Sequence, residues 1–293
     1  EEKGHESWVL EDIVAVGGTL HLGLTVGSFS TNLSATFLFE QTAGMIKIGI
    51  KDGAFDIGAG SVALNITDVN GAFVLYDGGS LAAQLRIGHV GLTGITGLTF
   101  TVDDFFLSLN NTGGPVHESL TFGDGSTADI DFTADIVAVG GTLHLGLTVG
   151  SFSTNLSATF LFEKTAGMIK IGIKDGAFDI SAGSVALNIT QVNGAFVLYD
   201  GGTLAAQLRI GHVGLTGITG LTFTVDDFFL SLNNTGGPVH ETLTFGDGST
   251  ADIDFTADIV AVGGTLHLGL TVGSFSTNLS GTFLFEKTAG MLK

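Results

Sequence analysis

Ten aspartates carry the most suggestive chemistry in this chain. Asp103, Asp104, Asp124, Asp129 and Asp131 recur 123 residues later as Asp226, Asp227, Asp247, Asp252 and Asp254. Carboxylates are hard oxygen ligands suited to Ca²⁺, and the segment GDGSTADID has the glycine and aspartate texture of calcium-binding repeats. The spacing matches neither the EF-hand loop nor the Gly-Gly-x-Gly-x-Asp nonapeptide, because one extra residue separates the second glycine from the aspartate. The competing reading is that these are solvated turn and edge carboxylates that keep sheet edges apart.

The histidines recur as His21, His144 and His267, as His89 and His212, and as His117 and His240, with His5 outside the pattern. Neither a Gly-x-Ser-x-Gly elbow nor a His-Glu-x-x-His pair accompanies them, so surface histidine is the expected role. Gly58-Ala59-Gly60-Ser61-Val62-Ala63 fits a phosphate fingerprint on paper, but the following Leu64-Asn65-Ile66-Thr67 reads as strand rather than helix. Thr93, Thr96, Thr99 and Thr101 change spacing within nine residues, which excludes a regular threonine ladder. Glycosylation sequons begin at Asn32, Asn65 and Asn110 and again at Asn155, Asn188 and Asn233.

These residues sit in a repeat. The string DIVAVGGTLHLGLTVGSFSTNLS begins at Asp12, Asp135 and Asp258, a period of 123 residues. The differences between copies are few and mild: Gln41 against Lys164, Gly58 against Ser181, Asp68 against Gln191, Ser80 against Thr203, Ser119 against Thr242. The expected organisation is a divergent lead segment at 1–11, one unit at 12–134, a second at 135–257 and part of a third at 258–293. Such small drift implies a longer array with more chain to follow. No Pro-rich, Ser-rich or charged linker separates the units, so they are expected to pack end to end and make a stiff array.

Short runs of alternating apolar and polar residues predict strands almost everywhere. In Thr19-Leu20-His21-Leu22-Gly23-Leu24-Thr25-Val26 one face is expected to be buried and the other wet. Asp52-Gly53, Asn70-Gly71, Asp77-Gly78-Gly79, Thr112-Gly113-Gly114-Pro115 and Gly123-Asp124-Gly125 are the expected turns, each holding residues that tolerate positive φ. No helical stripe is present, and each interior glycine would cost a helix about 1 kcal/mol. The expected fold is all-β: tandem antiparallel repeats packed end to end, either β-solenoid-like or a continuous row of β-sandwiches, with the missing linkers favouring the continuous form. A membrane barrel would want aromatic girdles of Trp and Tyr, and the chain has one Trp and two Tyr.

Composition narrows the function. Of the 293 residues, 44% are hydrophobic and 13% charged, too apolar for disorder. The net charge of −19 repels phosphate backbones and anionic headgroups, which excludes nucleic acid as a natural partner. The chain has no cysteine, so disulfides, thiolate metal sites and cysteine nucleophiles are excluded. No run approaches a membrane helix. Glu1-Glu2-Lys3-Gly4-His5-Glu6 does not read as a signal peptide.

The segments NITDVNGAFVLYDGG, LTFTVDDFFLSLNNTGGPVHESLTF and TLHLGLTVGSFSTNLSATFLFE give the unit its texture and order. In these it resembles the long β-repeats of very large bacterial exported proteins of the adhesin and calcium-binding-repeat type. The resemblance implies a secreted or surface-anchored array serving as stalk, fibre or coat, rigidified by Ca²⁺. The partners expected are neighbouring repeat units and other copies of the chain. The expected function is therefore a structural array at the cell surface and not an enzyme. The alternatives are a multivalent adhesin binding glycans or another cell through copy number, and a polysaccharide-active enzyme with paired carboxylates.

Overall fold

A computed structural model describes residues 14–288 and 291–292. The lead segment at 1–11, the first copy's Asp12 and His5 lie outside the described residues. The first unit opens with six long strands: β1 (Val14–Val26), β2 (Phe29–Thr42), β3 (Met45–Ala59), β4 (Val62–Tyr76), β5 (Leu81–Thr93) and β6 (Leu98–Asn110). Two short strands follow, β7 (Val116–Thr121) and β8 (Thr127–Phe132). The second unit repeats the pattern as β9 (Ile136–Val149), β10 (Phe152–Thr165), β11 (Met168–Ala182), β12 (Val185–Tyr199), β13 (Leu204–Thr216) and β14 (Leu221–Asn233), then β15 (Val239–Thr244) and β16 (Thr250–Phe255). The third copy supplies β17 (Ile259–Val272), β18 (Phe275–Thr288) and β19 (Met291–Leu292).

The long strands form one open, antiparallel, 15-stranded sheet in which each strand pairs with the next. The sequence break falls only where β6 pairs with β9 and β14 with β17, because β7–β8 and β15–β16 leave the sheet as separate hairpins. The all-β, continuous antiparallel architecture expected from periodicity is thus the one observed. Its form is a single sheet with local lids. Pairing at the unit boundary runs from Leu98↔Leu147 to Asn110↔Ile136, the same kind of ladder as inside a unit.

Each hairpin folds over one face of the sheet at the end where β2, β4 and β6 finish. Val116, Leu120, Phe122, Ile130 and Phe132 point down onto Leu38, Ala72, Val74 and Ala82, and all of these are buried. The second unit repeats the arrangement with Val239, Leu243, Phe245, Ile253 and Phe255 over Leu161, Ala195, Val197 and Ala205. Gly49 lies under the lid, where a Cβ would stand 2.9 Å from the Phe122 ring, so the bare backbone is what admits the aromatic side chain. In the third copy Leu284, the equivalent of Leu38 and Leu161, is 59% exposed, against 8% and 1% beneath the two lids.

Of the expected turns, Asp77-Gly78-Gly79, the Thr112–Pro115 stretch and Gly123-Asp124-Gly125 do connect elements. Asp52-Gly53 and Asn70-Gly71 do not: they lie inside β3 and β4. There Asp52 (φ 51°), Asp68 (φ 57°) and, in β6, Asp104 (φ 51°) are β-bulges, with register shifts between Ile50 and Phe55 and between Asp103 and Phe106. The same tolerance of left-handed backbone serves a bulge as well as a turn. Here the Asp52 amide donates to Asn70 Oδ1 at 3.0 Å, and Asn70 Nδ2 donates to the Asp68 carbonyl at 3.1 Å, which locks the irregularity within the sheet.

Candidate functional site: two unlike sheet faces and a lidded groove

Register assigns every strand residue to a face. One row across the sheet reads Asn32↔Asp56↔Asn65↔Gly91↔Thr101↔His144, and it lies on the face that the hairpins occupy. The adjacent row on the opposite face reads Leu33↔Phe55↔Ile66↔Val90↔Val102↔Leu143. One face is polar with an apolar floor beneath each lid. The other is predominantly apolar, with polar or charged residues such as Gln41 and Lys164 near strand ends and Thr31 within β2.

The expectation that the leucines of Thr19–Val26 are buried is corrected by exposures of 46% for Leu20, 56% for Leu22 and 52% for Leu24. These belong to the edge strand, but Leu147 in the sheet interior is still 38% exposed. The physical reason is that the hairpins supply the second layer, and they sit on the polar face. His21 does lie on the polar face, as expected, bonded through Nδ1 to Ser34 Oγ at 2.9 Å.

The polar face carries a ladder of cross-strand pairs. Ser157 Oγ lies 3.0 Å from His144 Nδ1, His144 Nε2 lies 4.0 Å from Asp103 Oδ2, and Asp103 Oδ1 lies 2.5 Å from His89 Nδ1. The second copy repeats it through Ser280, His267, Asp226 and His212. The hydrogen bond from His212 holds Asp226 below the usual carboxylate range. Serine, histidine and aspartate stand in line here, but the serine meets Nδ1 and the acid faces Nε2 across 4.0 Å, the reverse of the hydrolase arrangement. Sequence reasoning did not pair these groups. Their signal was similar distance from a turn: His89 stands five residues before Gly94 and Asp103 six residues after Gly97, and the register pairs them.

The ten aspartates do not form one cluster. Asp103 and Asp104 belong to β6, in the sheet, whereas Asp124, Asp129 and Asp131 belong to the hairpin. Asp129 accepts from Ser119 at 2.6 Å, and Asp131 pairs with His117 at 2.5 Å, both on the hairpin's outer surface. The equivalent residues Asp252 and Asp254 pair with Thr242 and His240, while Asp226 and Asp227 repeat the β6 positions in β14. Among the described residues, no three His, Asp or Glu side chains are grouped so as to hold a metal ion.

Asp124 instead ties the lid down. Lys51 Nζ donates to Asp124 Oδ2 at 2.5 Å and to Ser126 Oγ at 2.9 Å, while the Ser126 amide and hydroxyl donate to Asp124 Oδ1. Lys47 reaches Glu118 at 2.7 Å. In the second unit Lys174 holds Asp247 at 2.8 Å, and Lys170 holds Glu241 at 2.9 Å. At the root of the lid, Asn110 is 1% exposed. Its Nδ2 donates to the Gly114 and Ala134 carbonyls at 2.8 and 2.9 Å, and its Oδ1 accepts from the Thr112 amide and hydroxyl. The sequon at Asn110 is therefore a buried clamp with both amide protons used, as is that at Asn233.

These lysine contacts set a pH window. The hydrogen bond from Lys51 holds the Asp124 carboxyl well below the ordinary carboxylate range, with Ser126 adding to the effect, and the same bond raises the lysine. A depressed acid contributes stability above its unfolded value, about 3.9, and loses it as pH falls through the folded value. A raised lysine contributes below about 10.4 and loses it as pH rises through its folded value. The turn amides of Gly125 and Ser126 should keep their hydrogen-exchange protection, corrected for intrinsic rates, from about pH 5 to 9. Lys51→Met should lower that protection while leaving β4 and β5 unchanged. Protection already lost near pH 6 would show that other contacts hold the turn.

A groove of mixed polar and apolar lining runs beside each lid. In the first unit Lys51, Asn70, Gln84 and Arg86 line its sheet side, and Phe122, Ser126 and Ala128 its hairpin side. The second unit presents Lys174, Asn193, Gln207 and Arg209 on the sheet side and Phe245 and Ala251 on the hairpin side. No family model matches the chain, and neither a curated protein nor a solved structure matches it.

Proposed function

We propose that the chain is part of a structural array of an exported, cell-surface protein, forming a stiff stalk, fibre or filament. The observation that carries this reading is the unit junction. β6 pairs with β9, and β14 with β17, along nearly their whole length, so that no hinge separates one unit from the next. A hinge at such a junction would have to break backbone ladder bonds, which leaves only the gradual twist and curl of a continuous sheet, whereas a linker would bend freely. The resemblance to bacterial surface repeats supports the location. The reading needs no Ca²⁺, since eight of the ten aspartates, all but Asp104 and Asp227, already meet lysine, histidine or hydroxyl partners.

The alternative, a multivalent adhesin, draws support from the groove beside each lid, whose Arg, Lys, Asn and Gln side chains suit a polar ligand such as a glycan. Copy number would then raise avidity at a fixed spacing.

Electron microscopy of the intact protein tests the main reading. Six strands about 4.8 Å apart advance the array by about 29 Å per unit. Straight filaments with that axial repeat, unchanged by a chelator, are the expected result. Globules on a flexible string would overturn the stiff array and favour the adhesin.

A further inference from the structure

We infer that the apolar face of the sheet is an interface with a second copy of this chain, stacked face to face to make a two-layered β-sandwich. The inference does not depend on whether the array is a stalk or an adhesin, since it rests on the sheet alone.

The face is large. Six strands about 4.8 Å apart and about thirteen residues long, at about 3.3 Å each, present roughly 1,200 Å² per unit. The largest apolar patch on an ordinary monomer is about 300–600 Å², and a stable interface covers about 800 Å² per partner. One unit therefore exceeds what a stable dimer needs, and the described residues hold two. Nearly every large apolar strand residue with high exposure lies here, among them Ile48, Leu75, Val137, Leu147, Ile171 and Leu198. Val74 and Val197, their neighbours on the lidded face, are fully buried. The chain covers apolar surface where a hairpin reaches it, and among the described residues no hairpin reaches this side.

The chemistry selects a copy of the same face as the occupant. A second sheet packs at about 10 Å through interdigitating aliphatic and aromatic side chains, which is what these rows offer. Because the rows repeat every 123 residues, a twofold-related sheet meets the same surface it presents, unit after unit. Outside the bulges, charged strand residues such as Glu40, Lys47, Asp56 and Arg86 fall on the lidded face. Lys164 and Lys287 are the exceptions, and both lie at a strand end, where a rim residue keeps its charge in water. Lipid is the other apolar partner. To span a bilayer the sheet would have to close its edges as a barrel, and the described strands form an open sheet. Tyr76 and Tyr199, which would belong to an interfacial belt, pack beneath the hairpins instead.

The absence of cysteine makes the test direct, because single introduced thiols report position. The 293-residue chain would be examined by sedimentation at about 10 µM, with an environment-sensitive fluorophore on Val102→Cys or on its neighbour Thr101→Cys. The expected result is a dimer or larger even-numbered assembly, with a blue-shifted probe at 102 and a water-exposed probe at 101. The pair Val102→Glu with Leu143→Glu should give a monomer whose hairpin amides stay protected. That protection distinguishes a lost interface from a lost fold. A monomeric parent chain would overturn the proposal, as would an assembly in which both probes stay wet. So would a probe at 102 that shifts only when phosphatidylcholine–phosphatidylglycerol vesicles are added, an outcome that assigns the face to lipid.

Discussion

Leu120→Ala is expected to lower the stability of the first lid by about 3–4 kcal/mol, within the range for large-to-small core changes. Leu120 is fully buried between hairpin and sheet, as is Leu243 in the second unit. The cavity has little means of collapsing, because the residue directly beneath is Gly49, with no side chain to move into the space. A hairpin of two six-residue strands is marginal on its own in water, so its docking depends on this small apolar cluster. Native-state hydrogen exchange would read the effect as a drop of roughly two hundredfold or more in protection across β7 and β8, with β4 and β5 nearly unchanged. Leu243→Ala should reproduce the drop in β15 and β16 without disturbing the first lid. Loss of protection through the whole sheet would show that lid and sheet form one cooperative unit, contrary to the expectation.

Gly94→Ala should cost about 2–5 kcal/mol, combining left-handed strain of about 1–2 kcal/mol with overpacking of about 1–3 kcal/mol. Gly94 has φ +83°, and a Cβ there would stand 1.5 Å from the Ser61 carbonyl oxygen and 2.3 Å from its carbon. These are backbone atoms at the start of the neighbouring strand, and no rotamer change relieves the contact. Gly217 faces Ser184 with the same geometry, so the cost should recur there. Gly78→Ala is the control: nothing lies within 4 Å of its Cβ and its φ is not left-handed, so the change should be neutral or slightly stabilising. Denaturant midpoints of the three variants would decide the matter. A midpoint for Gly94→Ala within error of Gly78→Ala would refute the packing argument for the β5–β6 turn.

The sequence was informative wherever a property is local. Alternation in Thr19–Val26 identified a two-faced strand and placed His21 on the polar side, and the 123-residue period announced equivalent strands. Asp-Gly and Asn-Gly pairs marked positions where left-handed backbone is cheap. They did not reveal whether the chain turns there or bulges. Gly123-Asp124-Gly125 reverses the chain, whereas Asp52-Gly53 stays within its strand, because a ladder partner exists on both sides of Asp52. The aspartates could be recognised as oxygen donors, but Lys51 and His89 come from strands distant in sequence or across a turn, and their approach depends on register.

By itself, then, the sequence determined strand, period and the division of residues between two faces, since these follow from side-chain alternation and backbone preference over a few residues. Only the tertiary structure decided what each face meets. A hairpin inserted between β6 and β9 chooses one side of the sheet, and that choice rests on the summed packing of Leu120, Phe122 and Ile130 against residues dozens of positions away. Alternation encodes that two faces differ; burial is a property of whatever arrives to cover them.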